Sequence, residues 1–246
     1  MNDDELTYPR YLALDDLLSL QRLKSEPEHP DELLFIIVHQ ASELWFKLIL
    51  HELGALSSRL TSQEPFGALT SLKRVNALVR IVTSQLTALE TLPPQRFAQF
   101  RAYLGTSSGS QSVQFRAIEA ISGLRDQHFL NVLQEHGPIP PLIQEALEQP
   151  PLQHQFNQLL DNRGVTLEEI YSGEEHPELQ MLAEGLLEYE QGFSMWRFLH
   201  VQLVERIIGP TTGGTGGTLG SKYLQRTVSQ RFFPDLWAVR SKFFKG

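Results

Sequence analysis

The stretch FSMWRFLHVQLVERIIGP at residues 193–210 decides how the fold is interpreted. Its apolar residues recur at intervals of three and four, so they share one face of a helix. The residues on that face are Phe193, Trp196, His200, Leu203 and Ile207. Gly209 and Pro210 end the helix, because glycine permits left-handed dihedral angles and proline cannot continue the hydrogen-bond ladder. The stretch therefore predicts a buried helix with one histidine, His200, on its apolar face.

The next segment, GGTGGTLG at 213–220, contains too much glycine and threonine to pack a core. Its backbone N–H groups can lie close against a flat or anionic ligand. It lacks the Lys-Ser/Thr of a P-loop and the spacing of a dinucleotide-binding motif, and it follows a helix rather than a strand. The segment predicts a ligand-contacting loop, but not one of the nucleotide-binding kind.

The composition narrows the possible functions. The chain has 246 residues, a formal charge of −8 and no cysteine. The acidity argues against nucleic acid as a partner, which requires a basic face. The lack of cysteine excludes disulfides, thiolate metal sites, iron–sulfur clusters and covalent haem attachment. Any metal must be held by histidine, carboxylate, tyrosine or methionine.

Helical periodicity runs through most of the chain, and no alternation of period two persists. We therefore predict an all-α fold, a helical bundle formed by a single domain over 1–246. Asp31 is the expected N-cap of the longest helix, and Ser108 with Gln111 forms an expected capping box. Prolines interrupt 125–190, which we interpret as a smaller helical excursion. The predicted helices span 12–20, 32–60, 69–92, 96–104, 111–124, 223–229 and 232–244.

Two further motifs, a G-x-S-x-G pattern and a Glu-x-x-His spacing, occur in the wrong structural context for their usual functions. The G-x-S-x-G pattern at 105–109 is meaningful only between a strand and a helix, so it does not indicate a hydrolase here. A di-iron centre requires two helical Glu-x-x-His pairs, and the spacing from Glu26 to His29 falls in a proline-containing loop. His39 and His200 lie on the apolar faces of two helices far apart in sequence. They are either core histidines bonded to neighbouring carbonyls, or residues on either side of a haem.

Several blocks resemble the tryptophan 2,3-dioxygenase family, and they occur in the family's order over nearly the whole chain. The blocks are YPRYLALD at 8–15, LLFIIVHQASELWFK at 33–47, FRAYL at 100–104, SSGSQSVQFR at 107–116, WRFLH at 196–200 and GTGG at 214–217. The resemblance implies an all-helical bundle that encloses a b-type haem (iron protoporphyrin IX) and assembles as a homotetramer.

The resemblance also implies roles for individual residues. His200 would be the proximal iron ligand, and His39 the distal residue that hydrogen-bonds the indole N–H. Arg101 would hold the substrate carboxylate, a task suited to a planar guanidinium. Thr215 would contact the substrate ammonium. The indole would be walled by Phe35, Phe97 and Leu104, and the pocket of a neighbouring subunit would be completed by Tyr8, Tyr11 and Leu12. The residues near the haem would be Ser108, Gly109 and Trp196.

The family's reaction inserts both oxygen atoms of O2 across the indole C2–C3 bond of L-tryptophan and gives N-formylkynurenine. Leu199, Ser110 and the glycine loop depart from the family pattern, so two alternatives stay open. One is a haem oxygenase of the same fold that acts on a substituted tryptophan or indole, including one that adds a single oxygen atom as a monooxygenase. The other is a haem sensor or carrier.

The location is also predicted from the sequence. The acidic N-terminus lacks the apolar core of a signal peptide, and the longest apolar run, 33–38, is far shorter than a membrane span. We expect a cytoplasmic protein with no membrane partner.

Overall fold

In a computed structural model of the chain, the structure describes residues 6–125, 130, 131, 134, 137–213 and 221–244, without the side chains of residues 222 and 223. Within these residues the regular structure is helical and no strand is present, which confirms the all-α prediction. The α-helices are α1 Tyr8–Tyr11, α2 Leu14–Leu17, α3 Pro30–Thr61, α4 Pro65–Ser84, α5 Leu86–Leu89, α6 Pro94–Arg101, α7 Val113–Ser122, α8 Pro141–Glu148, α9 Leu152–Asn162, α10 Leu167–Ser172, α11 Pro177–Ile208, α12 Ser221–Val228 and α13 Pro234–Arg240. Short 3₁₀ turns cover Ala102–Leu104, Gly109–Gln111 and Ser241–Phe244.

The main core lies between the long helices α3, α4 and α11, and α4 packs against both of the others. In each helix, apolar residues three and four positions apart form a single buried stripe. Fully or almost fully buried members of these stripes are Ile49, Leu53, Leu56, Leu60, Leu72, Val75, Leu182 and Leu186. The packing of these stripes sets where α3 and α11 lie relative to each other.

The start of α3 differs from the prediction. The N-cap is His29 rather than Asp31, because Pro30 occupies the first helical position and begins the helix earlier. The Nδ1 atom of His29 accepts a hydrogen bond from the backbone N–H of Asp31 at 3.2 Å. The Asp31 carboxylate instead pairs with Arg96 of α6. The ion pair ties α6 to the first turn of α3.

Other helix ends also moved. The predicted helix over 69–92 is two helices, since α4 begins at Pro65 and ends at Ser84 before the short α5. Helix α11 begins at Pro177, inside the range 125–190 that the sequence assigned to an excursion, and it continues through His200 without a break. The predicted capping box of Ser108 and Gln111 is present, but it opens a 3₁₀ turn rather than α7 itself. The single-domain organisation over 1–246 stays a prediction.

Helix α3 is long and apolar enough to cross a membrane by length and composition. Only 17% of its most apolar 18-residue window is buried within the chain. Core helices of soluble proteins can have the same length and apolar composition, so these two properties do not distinguish a membrane-spanning helix from a core helix. The uncovered part of α3 includes the site described below.

Close approach of α11 to α4 depends on glycine, which gives a first prediction. A Cβ atom added at Gly192 would lie 2.7 Å from Cγ1 of Val79, a buried side chain with a stiff χ1 angle. We expect Gly192→Ala to lower the free energy of unfolding by about 1–3 kcal/mol through overpacking. Urea denaturation followed by circular dichroism measures the change.

Gly54→Ala is the matched control, since it makes the same substitution inside another long helix. Gly54 lies within α3, and an added Cβ would meet no atom within 4 Å. Alanine there should raise stability by about 0.5–1 kcal/mol, because glycine loses more backbone entropy on folding. Equal effects of the two substitutions would contradict the packing argument.

Candidate functional site

The structure brings together the two histidines that the sequence singled out. His39 lies on α3 and His200 on α11. Burial and, to a smaller extent, charge repulsion from the nearby His39 lower the pKa of His200 to about 4. The two rings are therefore close enough to interact electrostatically, and His200 is an uncharged imidazole at neutral pH.

The His39 ring has one nitrogen committed and one available. Its Nδ1 lies 2.7 Å from the carbonyl oxygen of Phe35. A carbonyl can only accept, so Nδ1 carries the proton, and Nε2 of the neutral ring is left as an acceptor. Burial lowers the pKa of His39, while the bond to Phe35 and the charge of Glu43 oppose the shift. His39 as a residue is exposed to solvent, although protein atoms surround much of it, and we call the accessible surface beside it the recess.

The His200 ring is held by stacking. It lies parallel to Trp196, with ring centroids 5.2 Å apart and an angle of 17° between the planes. Trp196 is fixed in turn by the rings of Phe46 and Phe115. Among the described residues, His200 has no hydrogen-bond partner, and the buried Nε1 of Trp196 has none either. An oriented, neutral imidazole with free nitrogens is suited to binding a metal.

Aromatic residues from α3 and α6 form one wall beside His39. The Phe35 ring lies 4.1 Å from the His39 ring and 5.6 Å from that of Phe97. Phe97 is almost completely buried, and Leu104 packs against the same cluster. The predicted wall residues Phe35, Phe97 and Leu104 are thus brought together. Phe100, which the sequence argument left out of the wall, is fully buried between Phe35 and Phe97 at 5.9 and 5.2 Å.

Arg101 lies at the end of α6, where it reaches the base of the glycine loop. Its Nη2 donates to the carbonyl oxygen of Gly213 at 2.5 Å. This guanidinium is only partly buried, so it remains accessible to an anion. Thr215, the predicted ammonium contact, lies outside the described residues.

Ser108 and Gly109 lie in the turn before α7. The Ser108 hydroxyl is 2.9 Å from that of Ser110, and Gln111 accepts from the Ser108 N–H, so the turn is internally bonded. A Cβ atom added at Gly109 would meet nothing within 4 Å, which leaves space beside this turn.

The N-terminal residues are far more exposed than the rest of the predicted site. The exposed fractions are 72% for Tyr8, 71% for Tyr11 and 39% for Leu12. Within the described part of the chain, no side-chain hydrogen bond or ring contact joins them to the recess. Within one chain, the described contacts therefore leave these three residues apart from the other predicted site residues.

The side chains available as metal ligands limit which kind of metal cofactor the site could hold. Among the described residues there is no cluster of three or more histidine, cysteine, aspartate or glutamate side chains that could hold a bare ion. A single imidazole is a sufficient protein ligand when a porphyrin supplies the other nitrogens. Two neighbouring histidines on different helices, together with an apolar wall, therefore fit a haem better than a non-haem metal.

Two features of the site were missed from the sequence. Glu43 acts on His39 electrostatically from one helical turn away, which the i,i+4 spacing on α3 could have indicated. The pairing of Arg101 with Gly213 joins segments far apart in the chain, and no local pattern announces it.

The comparisons with known proteins agree with this geometry. The sequence model of the family described as tryptophan 2,3-dioxygenase matches residues 1–139 and 145–243. A tryptophan 2,3-dioxygenase of Anaeromyxobacter sp. (strain K) is 41% identical, over 96% of this chain and 95% of that protein. The enzyme of the same name from Saccharopolyspora erythraea is 40% identical over 97% and 93%, and that from Bacillus anthracis is 38% identical over 97% and 93%.

The lowered pKa of His200 gives a prediction for stability against pH. Its pKa is about 4 in the folded protein, against 6.5 for an unperturbed histidine. As pH falls from 6.5 to about 4, the unfolded chain therefore binds a proton at this ring before the folded chain does. The contribution of the neutral His200 ring to the free energy of unfolding is complete above pH 6.5 and is lost as pH falls towards 4. We expect the free energy of unfolding of the haem-free protein to fall more steeply over this range in the wild type than in His200→Gln. Urea titrations at a series of pH values test this, and parallel curves would contradict it.

Proposed function

The chain belongs to the tryptophan 2,3-dioxygenase family, and we infer that it is a haem-dependent oxidoreductase that adds both atoms of O2 to L-tryptophan. The indole C2–C3 bond breaks and each of its carbons receives one oxygen atom, which gives N-formylkynurenine. The observation that carries the inference is the pair of imidazoles, His39 and His200, which come from two different helices and lie close enough to interact electrostatically. The relatives are named for this reaction rather than for one on a modified indole, so the alternative oxygenase is not favoured.

His200 is the proposed proximal ligand. Its ring is neutral, stacked on Trp196 and without a hydrogen-bond partner among the described residues, so a nitrogen lone pair is available to iron. When bound, the haem supplies the activation of O2. The b-type cofactor is supported by the absence of cysteine from the chain, which rules out thioether attachment. Ser108 and Gly109 are proposed to lie along the haem edge, where the turn leaves space.

Substrate binding is proposed to use both ends of L-tryptophan. The indole N–H donates to Nε2 of His39, the acceptor left by the bond from Nδ1 to Phe35. The carboxylate pairs with Arg101, and the ammonium contacts Thr215. Phe35, Phe97 and Leu104 wall the ring and exclude water. Indole is electron-rich, so no strong acid or base is required, and these residues accelerate the reaction mainly by holding the ring in place.

The proposed homotetramer is supported by exposed apolar residues. Tyr8, Tyr11 and Leu12 leave large apolar areas in solvent, and so does a stripe on α3 formed by Leu33, Ile37, Leu44 and Leu48. Contiguous exposed apolar surface is typical of protein interfaces. We propose that the N-terminal residues complete the substrate pocket of a neighbouring subunit. The cysteine-free, acidic composition supports the proposed cytoplasmic location.

Replacing the proposed iron ligand should remove the cofactor. We expect His200→Ala, expressed with added haem, to purify without a Soret band, because the substitution removes the proposed bond from the protein to the iron. The absorption spectrum of the purified protein is the measurement. His51→Ala is the control, since His51 is an exposed histidine on α3 and its loss should leave the band intact. A normal Soret band in His200→Ala would reject the assignment.

Replacing the proposed carboxylate partner should weaken substrate binding. We expect Arg101→Ala to raise the KM for L-tryptophan, since losing a charge-assisted partner costs about 2–4 kcal/mol. Arg101→Lys keeps the charge but loses the planar fork, so its KM should be intermediate. Inhibition by tryptamine, which lacks a carboxylate, should be the same in all three proteins. An unchanged KM in Arg101→Ala would reject the role.

A further inference from the structure

Three charged side chains form a buried cluster between α7 and α11. Glu119 of α7 accepts from Nη1 of Arg116 at 2.6 Å and from Nη2 of Arg197 at 2.9 Å. All three are more than nine-tenths buried. We call Arg116, Glu119 and Arg197 the Glu119 cluster. It has no role in the site as described so far.

The Glu119 cluster contains two guanidiniums and one carboxylate. The Nε and Nη1 atoms of Arg197 are buried and have no hydrogen-bond partner among the described residues. A buried cation that lacks full compensation is costly, and a chain that needed only helix packing could use apolar residues instead. Arg197 is partly accommodated by the ring of Phe232, 5.0 Å from its central carbon. The cluster therefore calls for an explanation beyond stability.

The cluster connects two segments that carry residues of the proposed haem site. Nε of Arg116 donates to the carbonyl oxygen of Ser110 at 3.3 Å, in the turn that contains Ser108 and Gly109. Arg197 lies one helical turn before His200 on α11 and directly follows Trp196, the residue stacked on His200. Glu119 thus joins the arginine that holds the turn to the arginine on the helix of the proposed iron ligand.

We propose that Glu119 and Arg116 are positioning residues, which fix the Ser108–Ser110 turn relative to His200 and so retain the haem. The inference rests on the proposed function, because it assumes that the haem lies between this turn and that imidazole. Neither residue touches the reacting atoms. Their effect is to hold two haem contacts, supplied by separate segments, at a constant separation.

Helix packing does not need the bond to Ser110. One turn beyond Glu119, the hydroxyls of Ser122 and Tyr189 lie 2.7 Å apart and join the same two helices. The rings of Phe115 and Phe193 also meet across this boundary. Loss of Arg116 should therefore release the turn while α7 and α11 stay together.

Arg116→Gln is the decisive variant. It removes the donor to Ser110 and leaves Glu119 and Arg197 as a balanced ion pair, so the fold should persist. Glu119→Gln is less suitable, since it leaves two buried guanidiniums without a carboxylate. The matched control is Glu190→Gln. Glu190 is a fully buried carboxylate on α11 that accepts from Arg231, Trp237 and the backbone of the C-terminal segment.

The measurement is the rate at which the haem-loaded protein transfers haem to excess apomyoglobin, compared with the thermal midpoint of the same sample. We expect Arg116→Gln to transfer haem roughly tenfold faster than wild type, with an unchanged midpoint. Glu190→Gln should show a lower midpoint and the wild-type transfer rate.

Two results would overturn the proposal. One is a wild-type transfer rate in Arg116→Gln. The other is faster transfer in both variants in proportion to their loss of thermal stability, which would make the cluster a purely structural element. A wild-type protein that retains no haem at all would instead reject the proposed function, and is recognised before any variant is made.

Discussion

The candidate site depends on a His200 imidazole that is uncharged and whose nitrogens are not used in hydrogen bonds to the described residues. Burial achieves the first, because it disfavours the imidazolium form and lowers the pKa to about 4. Stacking on Trp196 achieves the second, since it fixes the ring without using its nitrogens. Both need α11 to be firmly seated, and its seat on α4 includes Gly192, where a side chain would collide with Val79. The neutral state and the orientation of this ring thus depend on packing about two helical turns away on α11.

The sequence predicted the architecture well because periodicity reports which face of a helix is buried. Helices α3 and α11 were recognised from apolar residues three and four positions apart. Helix ends were predicted less well, since they depend on side chains that compete for the same backbone groups. At α3, Pro30 shifted the cap to His29 and freed Asp31 to pair with Arg96, a residue distant in sequence. Such an exchange is decided by tertiary contacts.

The candidate site was predictable to the extent that single residues reveal it. His39 and His200 stand out as titratable groups on apolar faces, but periodicity alone favoured a core position for both. His39 does bond a neighbouring carbonyl, as a core histidine would, and yet the residue is exposed to solvent. The roles of Arg101 and Phe97 came from the resemblance to a family. The bridge from Arg116 through Glu119 to Arg197 is invisible to both arguments, because it joins two helices without any sequence pattern.

Helix α11 is held on several of its faces at once. One face meets α4 at Gly185 and Gly192, where an added Cβ atom would lie 2.7 Å from side-chain atoms of Leu72 and Val79. A second face carries Glu190 and Arg197, which anchor the C-terminal segment and α7. Between them lie Trp196 and His200, facing the recess. A shift of the helix along any one face would displace the other two, so the position of the imidazole is fixed from several directions at once. Interruption of this helix would separate those constraints, which is a physical reason for its continuity from Pro177 to Ile208.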